Sequence, residues 1–379
     1  MRGQSQGEGR GFAFEVTATD GRSGARRGRI TTPHGEVKTP AFMPVGTQAT
    51  VKAAAPAQVG ETGTEMLLCN AFHLTLRPGE KLVERLGGLH RFMGWNGGIL
   101  TDSGGYQVFS LSELRDVTED GVEFRSPVDG SLLFMSPERA TEIQNALGAD
   151  VIVAFDECVE YPCERGYAKA AMERTLAWAE RCKNAHARED QALFAVVQGS
   201  VFEDLRKSCA RELVRIGFDG YAIGGLSVGE GPTLMMEALE YSAGELPQDK
   251  PRYLMGVGPP SDILEAVQRG VDMFDCVLPT RNGRNGYAFT WDGVVRLRNR
   301  RHREDASPID GTCDCSACKN FSRGYIRHLF NAGEILGLTL VSLHNIRFFQ
   351  RLMEGIREAI EGRCFLEFKE EFLARYKES

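Results

Sequence analysis

Acidic and amide side chains follow several of the short apolar runs in this chain. Asp102, Asp156 and Asp275 each come directly after such a run, and Gln198 follows another. Two carboxylates facing one substrate suit glycosyl transfer, because one can attack an anomeric carbon while the other acts as general acid and base. Asp102 and Asp275 are the candidates for this pair. The same pair would suit a glycoside hydrolase, and an aspartate after a strand often only caps the next turn.

The remaining candidates suit a flat, polar base. Tyr106 and Met255 could cover its two faces. Asp156 could accept hydrogen bonds from the donor edge of a guanine, while Gln198 and the Gly225 N–H serve its carbonyl. Such a buried polar site rejects an analogue that lacks the matching groups by roughly 10⁴-fold. This pattern favours guanine over adenine.

Eight apolar runs, each followed by a turn and a segment with helical spacing, indicate alternating strands and helices. The predicted strands are Ala41–Val45, Glu65–Leu68, Gly98–Thr101, Asp150–Phe155, Leu193–Val197, Gly220–Ile223, Arg252–Met255 and Met273–Phe274. Eight such units predict an α/β protein with a (β/α)8 TIM barrel, in which the carboxyl ends of the strands meet on one face. The polar residues at those ends would therefore share one pocket.

Helix starts and stops are readable between these strands. Ser136 is the predicted N-cap of the helix Glu138–Leu147, with Pro137 at its first turn, and Gly148 stops this helix. The predicted helices are Glu138–Leu147, Ala168–Ala187, Glu203–Ile216, Thr233–Ser242, Ser261–Arg269 and one C-terminal helix from about Ile346 to Tyr376. Apolar residues recur at helical spacing in the last of these, so we expect one of its faces to pack on the barrel.

A cysteine cluster lies beyond the last predicted strand. With a histidine further along the chain it supplies four ligands of the types that form a closed tetrahedral zinc site: Cys313, Cys315, Cys318 and His344. Four protein ligands leave no position for a reacting water, so we expect a structural zinc. His302 and His328 are the rival fourth ligands.

Basic residues are concentrated after the last predicted strand, against the single acid Asp292. They are Arg281, Arg284, Arg296, Arg298, Arg300, Arg301 and Arg303. Such a patch can hold a phosphate backbone on a protein whose net charge is −7, although a solvated basic face has the same composition. The expected division is a flexible tail at 1–11, the barrel core at 12–280, a basic segment and zinc-binding subdomain at 281–345, and a C-terminal helix on the barrel at 346–379.

The composition is that of a globular protein and excludes two classes. No apolar tract reaches the ~18 residues of a membrane span, and the N-terminus lacks the features of a secretory signal. Outside the cluster the cysteines are scattered singly, which argues against a disulfide framework. We therefore expect a cytoplasmic protein with no membrane partner.

Five longer motifs run through the candidate residues. They are TDSGGYQV at 101–108, AFDEC at 154–158, GGLSVGE at 224–230, YLMG at 253–256 and MFDCVLPTRNGR at 273–284. Together with the Cys/Cys/Cys/His set, these motifs resemble the queuine/archaeosine tRNA-ribosyltransferase family, and specifically its bacterial tRNA-guanine transglycosylases. The resemblance runs from about Phe14 to Tyr376.

The resemblance implies a glycosyltransferase that exchanges guanine at the tRNA wobble position for 7-aminomethyl-7-deazaguanine, in queuosine biosynthesis. Asp275 would be the nucleophile that forms a covalent tRNA intermediate, and Asp102 the general acid and base. The base-binding set would be Tyr106, Asp156, Cys158, Gln198, Gly225, Leu226, Val228 and Met255. Within it, Cys158 and Val228 resemble the bacterial version.

The resemblance also implies partners and a cofactor. Arg281 and Arg284 would contact the anticodon arm, and one structural Zn²⁺ would be bound per subunit. A homodimer is implied as well, with Phe92, Phe321, Tyr325 and His328 as interface candidates.

This chain departs from the family at one place near the proposed acid and base. The family commonly reads Gly-Asn-Thr/Ser-Tyr-His where this chain has Cys-Asn-Ala-Phe-His at 69–73, so a hydroxyl that could orient Asp102 is missing at Ala71. Asn70 remains to orient it. Two other functions fit the sequence: a non-catalytic tRNA-binding partner subunit of the same fold, against which the retention of both aspartates argues, and a barrel glycoside hydrolase.

Overall fold

Strands and helices alternate through the described part of the chain, which comprises residues 11–111 and 115–377 of this computed structural model. The strands are β1 Ala13–Thr19, β2 Arg26–Thr32, β3 Gly35–Thr39, β4 Ala41–Pro44, β5 Met66–Asn70, β6 Gly98–Asp102, β7 Arg115–Val117, β8 Val122–Arg125, β9 Leu132–Met135, β10 Val151–Val153, β11 Ala192–Val197, β12 Gly220–Ile223, β13 Arg252–Leu254, β14 Met273–Cys276, β15 Tyr287–Thr290 and β16 Gly293–Arg296. The tail predicted at 1–11 lies outside the described residues except for Gly11.

The helices follow the strands as the βα alternation predicts. They are α1 Pro56–Gly60, α2 Ala71–Leu76, α3 Glu80–Arg85, α4 Gly88–Met93, α5 Gly105–Leu111, α6 Pro137–Leu147, α7 Arg165–Ala185, α8 Glu203–Ile216, α9 Pro232–Ala243, α10 Pro260–Gln268, α11 Leu278–Arg284, α12 Ser316–Asn320, α13 Arg323–Ala332, α14 Ile335–Glu361 and α15 Phe365–Arg375. No helix among the described residues combines the length and the apolar character needed to cross a lipid bilayer.

Eight parallel strands form the barrel, at the eight positions predicted from the sequence. Their order is β4-β14-β13-β12-β11-β10-β6-β5. A parallel bridge between Val45 and Leu68 joins the two ends of this sheet, and the Gly46 N–H donates to the Leu68 carbonyl at 2.6 Å. The predicted (β/α)8 fold is confirmed.

Alternate residues of the barrel strands fill its interior. Leu100, Val196, Tyr253 and Met273 belong to one buried apolar cluster inside the barrel, while their neighbours in sequence pack outward against the helices. This is the period of two that a strand imposes on its side chains. The same alternation determines which residues just beyond the carboxyl end of each strand point toward the axis of the barrel.

The antiparallel sheet β1-β2-β3 covers the other, amino-terminal end of the barrel. Its last strand leads directly into β4, and Ile30 and Val37 join the interior cluster. Phe12 packs edge-on against Phe194 of β11, with ring centroids 5.8 Å apart. Among the described residues, apolar side chains fill this end of the barrel, so the carboxyl ends of the strands form its open end. Neither this sheet nor the small sheet β7-β8-β9 was predicted from the sequence.

The helix signals behave as predicted at α6. The Ser136 Oγ accepts a hydrogen bond from the Arg139 N–H at 3.2 Å, and Gly148 ends the helix with φ of 71°. The single C-terminal helix expected from about Ile346 to Tyr376 is wrong. Two helices, α14 and α15, occupy that region, and α14 begins earlier and crosses residue 345, where the sequence analysis places a boundary.

The break between α14 and α15 has a local and a tertiary cause. Gly362 is the last residue with helical dihedral angles, and Arg363 directly after it adopts the left-handed φ of 55° that commonly follows the end of a helix. The chain then turns so that Phe372 packs edge-on against Trp291, with ring centroids 5.2 Å apart. The glycine was a readable stop signal that the continuing apolar spacing concealed.

Helix α14 joins the barrel to the segment that carries the cysteine cluster. Phe349 stacks on Phe42 of β4 with centroids 4.5 Å apart. Asn345 accepts a hydrogen bond from the Phe289 N–H at 2.9 Å and donates to the Pro279 and Tyr287 carbonyls at 2.9 Å each. One helix therefore positions the hairpin β15–β16 relative to the barrel mouth.

Candidate active site

Four predicted site residues point into the open end of the barrel for one geometric reason. Each stands two residues beyond an interior residue of its strand, so the strand alternation aims it inward as well. They are Asp102, Gln198, Met255 and Asp275, beyond Leu100, Val196, Tyr253 and Met273. The parallel arrangement then places them at the same end.

Asp275, on β14, is 9 % exposed. Its Oδ1 accepts hydrogen bonds from the Tyr253 hydroxyl at 2.6 Å and the Gly256 N–H at 2.8 Å. Burial raises the pKa of Asp275 above its ordinary value, and these two hydrogen bonds counteract that rise because they stabilise the charged form. The sequence analysis missed the role of Tyr253, although its interior position on the neighbouring strand was a usable signal.

Asp102 ends β6 and is held in a different way. The Asn70 side-chain amide donates to both of its carboxylate oxygens, at 2.7 and 2.9 Å, and the Gly104 N–H donates at 3.1 Å. Burial, followed by the negative charge of Asp275, raises the pKa of Asp102 to about 7. Of the two carboxyl groups, Asp102 is therefore the one suited to carry a proton near neutral pH.

Asn70 is itself fixed in orientation. Its side-chain oxygen caps α2 by accepting the His73 N–H at 3.0 Å, which directs its NH₂ group toward Asp102. Ala71, where the family commonly has a hydroxyl, is buried and makes no polar contact through its methyl group. In this chain the orientation of Asp102 comes from Asn70.

Asp156 and Gln198 form a buried polar pair next to the carboxylates. The Gln198 Nε2 donates to the Asp156 Oδ2 at 2.7 Å, and burial raises the pKa of Asp156 to about 6. Among the residues that the structure describes, the buried Gln198 Oε1 has no hydrogen-bond partner. The pair thus keeps hydrogen-bonding capacity for a ligand.

Two glycines leave the room that this pair needs. A Cβ at Gly105 would lie 2.7 Å from the Asp156 Oδ1, and a Cβ at Gly225 would lie 2.3 Å from the Gln198 Oε1. Gly225 also has a φ of +64°, which side chains rarely adopt. Any larger residue at either position would displace the polar pair.

Arg206, on α8, supports this pocket from below and was missed by the sequence analysis. It is fully buried and donates to the carbonyls of Gly224 at 2.8 Å, Val197 at 3.4 Å and Ser200. Burial lowers its pKa to about 10, so it remains charged at neutral pH. Its guanidinium ties the ends of β11 and β12 together. Its place on the buried face of an amphipathic helix was the only signal in the sequence.

A short loop after β12 carries two further predicted residues, Leu226 and Val228. The N–H groups of Ser227 and Val228 both donate to the Glu230 carboxylate, the latter at 2.9 Å. Ser227 has a positive φ of 61°, and Glu230 is only 8 % exposed. Glu230 therefore determines the conformation of this loop, a role that the motif alone did not reveal.

The other predicted base contacts differ in exposure. Tyr106, on α5, is 54 % exposed, whereas Met255 is partly buried against the barrel interior. Cys158 follows Asp156 in the β10 loop, and burial raises its pKa to about 12, so its thiol is neutral. Of the two residues expected to cover the base, Tyr106 is therefore open to solvent and Met255 is partly enclosed.

The predicted RNA contacts lie on α11, directly after the strand that carries Asp275. Arg281 is exposed and Arg284 is half-buried. A surface cavity of about 740 Å³ nearby is lined by Asn282, Tyr287 and Arg296 among others. The basic residues therefore continue from the barrel mouth onto the hairpin β15–β16.

The three cysteines of the cluster lie next to His344, and the alternative ligands His302 and His328 are not part of this group. The four ligand atoms, Sγ of Cys313, Cys315 and Cys318 and a ring nitrogen of His344, lie within 4.8 Å of one another. His302 instead bonds to Asp305 at 2.9 Å, and His328 is exposed on α13.

The geometry of this cluster fits a metal ion. The His344 Nε2 donates to the Phe289 carbonyl at 2.8 Å, which turns Nδ1 toward the Cys318 and Cys315 sulfurs at 3.3 and 3.5 Å. A tetrahedral ion with bonds of about 2.1 to 2.3 Å needs ligand separations of about 3.5 Å. A carbonyl behind a ligating histidine is the usual orienting partner. The buried Cys₃His group could therefore bind a metal ion.

Comparisons with known proteins agree with this geometry. The family model for queuine tRNA-ribosyltransferase matches residues 20–378. A protein named queuine tRNA-ribosyltransferase from Desulforamulus reducens is 59 % identical over 92 % of this chain and 94 % of its own length. Proteins of the same name from Pelotomaculum thermopropionicum and Pseudomonas putida are 57 % and 55 % identical, each over 96 % of this chain and over 99 % and 98 % of their own lengths. The resemblance inferred from the motifs is confirmed, and the chain belongs to the queuine tRNA-ribosyltransferase family.

Proposed function

We propose that this protein is a tRNA-guanine transglycosylase, which exchanges guanine at the anticodon wobble position for 7-aminomethyl-7-deazaguanine in queuosine biosynthesis. The observation that carries the proposal is the pair Asp102 and Asp275 beside the polar pair Asp156 and Gln198 at one end of the barrel. Asp102 is partly buried, and the other three side chains are buried. Two carboxyl groups in different protonation states are what a double displacement at an anomeric carbon needs.

In the first displacement Asp275 is the nucleophile. Its carboxylate forms a bond to C1′ of the guanosine while the C1′–N9 bond breaks, and the electron pair of that bond goes to guanine. Asp102, protonated because its pKa is raised to about 7, transfers its proton to the departing base. The tRNA is then held as a covalent aspartyl ester of its ribose.

The second displacement reverses the roles. The incoming 7-deazaguanine gives its N9 proton to the Asp102 carboxylate, N9 attacks C1′, and the bond to Asp275 breaks. Two inversions at C1′ retain the configuration. The hydrogen bonds from Tyr253 and Gly256 help Asp275 to leave because they stabilise its carboxylate.

Base recognition follows from the polar pair and its surroundings. Asp156 would accept from the donor edge of guanine, while the second Nε2 hydrogen of Gln198 and the Gly225 N–H donate to the carbonyl. Tyr106 and Met255 would enclose the two faces of the ring, and Leu226 would border its edge. Cys158 and Val228 would contact the substituent of the 7-deazaguanine.

The tRNA would lie across the basic surface formed by α11 and the hairpin β15–β16. Arg281 and Arg284 are six and nine residues beyond Asp275 in sequence and would bind the phosphates that flank the wobble nucleotide. The cavity lined by Arg296 and Arg298 lies on the same surface.

Zinc is the proposed metal at Cys313, Cys315, Cys318 and His344, since three thiolates and one imidazole in tetrahedral arrangement suit Zn²⁺. The ion would be structural. It would fix α12 to α14 and so hold the basic hairpin beside the barrel mouth.

A homodimer is also proposed. Phe321 and Tyr325 stack with centroids 5.4 Å apart, and Tyr325 is 40 % exposed beside the exposed His328. An exposed aromatic cluster of this kind suits the core of a protein interface. Phe92, on α4, is 37 % exposed and is the remaining interface candidate.

Exchange of labelled guanine into unmodified tRNA tests the reaction and its nucleophile. Asp275→Asn should abolish the covalent RNA adduct and lower the exchange rate by more than about 10³-fold. The exposed Asp129→Asn is the matched control and should keep both. Absence of label incorporation by the wild-type chain would refute the transglycosylase and leave the partner-subunit role. RNA-independent cleavage of a sugar polymer would favour the hydrolase.

The pH dependence of guanine release in a single turnover tests the role of Asp102. The acid must be protonated, so the rate should fall as pH rises through about 7. Asp102→Asn should lower the rate by about 10²- to 10⁴-fold and remove this alkaline limb. An unchanged limb in the variant would assign the proton to another group.

X-ray absorption at the zinc edge tests the metal assignment. The wild-type protein should show zinc–sulfur scattering at about 2.3 Å. Cys318→Ser should lose it and bind tRNA more weakly, while Cys364→Ser, at an exposed cysteine outside the cluster, should keep both properties. Active protein without sulfur-coordinated zinc would overturn the assignment.

Sedimentation equilibrium tests the dimer. The wild-type chain should have twice the monomer mass of 41.8 kDa, and Tyr325→Glu should shift it toward the monomer. Leu132→Glu places the same charge at another exposed apolar residue and should leave the mass unchanged. A monomeric wild type at micromolar concentration would contradict the proposal.

A further inference from the structure

A second group of metal-type ligands lies at the amino-terminal end of the barrel, away from the Asp102 and Asp275 end. Asp150 stands directly before β10, His34 lies in the turn between β2 and β3, and His90 lies on α4. The backbone N–H of Asp150 donates to the Ile99 carbonyl at 2.9 Å, and the Asp150 carbonyl accepts from the Ala192 N–H at 2.8 Å. The backbone of the residue that carries this carboxylate is thus anchored between three neighbouring barrel strands, β6, β10 and β11.

The three side chains converge closely. The His34 Nδ1 lies 2.7 Å from one Asp150 oxygen, and the His90 Nε2 lies 3.0 Å from the other. The two imidazole rings stack with centroids 3.4 Å apart and planes inclined by 11°. One ligand atom from each residue lies within 4.8 Å of the others. Three distant parts of the sequence therefore point nitrogen and oxygen atoms at one location.

Burial and hydrogen bonding prepare these atoms to act as ligands. The side chain of Asp150 is 1 % exposed, that of His90 is 10 % exposed and that of His34 is 40 % exposed. The Ile99 N–H donates to the Asp150 Oδ2 at 2.8 Å and fixes the carboxylate, as partners behind metal ligands commonly do. Burial opposes ionisation of Asp150, but the hydrogen bonds from His90 and His34 outweigh it and lower the pKa of this carboxyl.

The ligand set has a defined preference. Two imidazoles and one carboxylate bind divalent first-row ions such as Co²⁺, Ni²⁺ and Zn²⁺, and leave coordination positions for water. Hard ions such as Mg²⁺ prefer a shell of oxygen ligands. The exposed side of His34 gives an ion access from solvent.

We propose that His34, His90 and Asp150 form a second site for a divalent transition-metal ion, separate from the Cys₃His cluster. The ion takes the place of the two N–H protons that now join the imidazoles to the carboxylate. It links the β2–β3 hairpin to the floor of the barrel and so stabilises the plug that closes this end. The site lies at the end of the barrel opposite the reacting carboxylates, so its role is structural.

Titration with Co²⁺ of wild-type protein that carries one equivalent of Zn²⁺, which the Cys₃His cluster takes up, tests this site. Calorimetry should show one Co²⁺ bound per chain, with weak d–d absorption and no thiolate-to-metal charge-transfer band, which separates this site from the Cys₃His cluster. Bound Co²⁺ should also raise the temperature of thermal unfolding, because the ion binds the folded state only.

His34→Gln removes the most exposed ligand and should weaken Co²⁺ binding at least about 10-fold, since loss of even an outer partner of a metal ligand costs about that much. Asp150→Asn is the second variant and should do the same. His186→Gln replaces a histidine outside the cluster and should bind Co²⁺ as the wild type does.

Guanine exchange by His34→Gln should be retained, which shows that the variant is folded. Absence of Co²⁺ binding to the wild type beyond its zinc, or equal binding by the wild type and both ligand variants, would overturn the site and leave a hydrogen-bonded triad only.

Discussion

Two carboxyl groups in one buried space cannot both ionise without a large cost, and the mouth of this barrel is organised around that constraint. Asp275 receives a hydroxyl and a backbone N–H, which favour its charged form, and its charge then helps to raise the pKa of Asp102 to about 7. Asn70 holds Asp102 without supplying a positive charge. The division of labour between nucleophile and acid thus follows from unequal hydrogen bonding of two identical side chains.

The hydrogen bonding of Asp275 and Asp102 can differ because the groups that donate to each carboxylate lie on other parts of the barrel. Tyr253 lies on the strand next to Asp275 and is part of the apolar interior, so its ring is fixed by packing and its hydroxyl by the carboxylate. Arg206 performs a comparable task for the base pocket, where it binds backbone carbonyls at the ends of two strands. A buried charge that satisfies carbonyl groups stiffens the pocket without forming an ion pair with Asp156, whose side-chain partner is the neutral Gln198.

Different contacts attach the flanking segments to the two ends of the barrel. The carboxyl end is flanked by α11 and the hairpin β15–β16, which α14 holds through Asn345 and through His344 of the cysteine cluster. The amino end is plugged by the sheet β1-β2-β3, whose turn meets the barrel floor at Asp150. Both attachments combine apolar packing with a compact group of metal-type ligands.

The sequence by itself determined the eight strands, the ends of the five helices α6 to α10 to within three residues, and the residues that belong to the mouth and to the cysteine cluster. These features depend on local rules: a period of two in strands, capping residues such as Ser136 and Gly148, and short ligand spacings. Only the tertiary structure decided the features that depend on contacts between residues distant in sequence. The split of the C-terminal helix, the loop-holding role of Glu230, the partners Tyr253 and Arg206, and the meeting of His34, His90 and Asp150 all require contacts between residues far apart in the chain. Such contacts exist only once the barrel closes, because closure brings strand ends together that sequence spacing leaves unrelated.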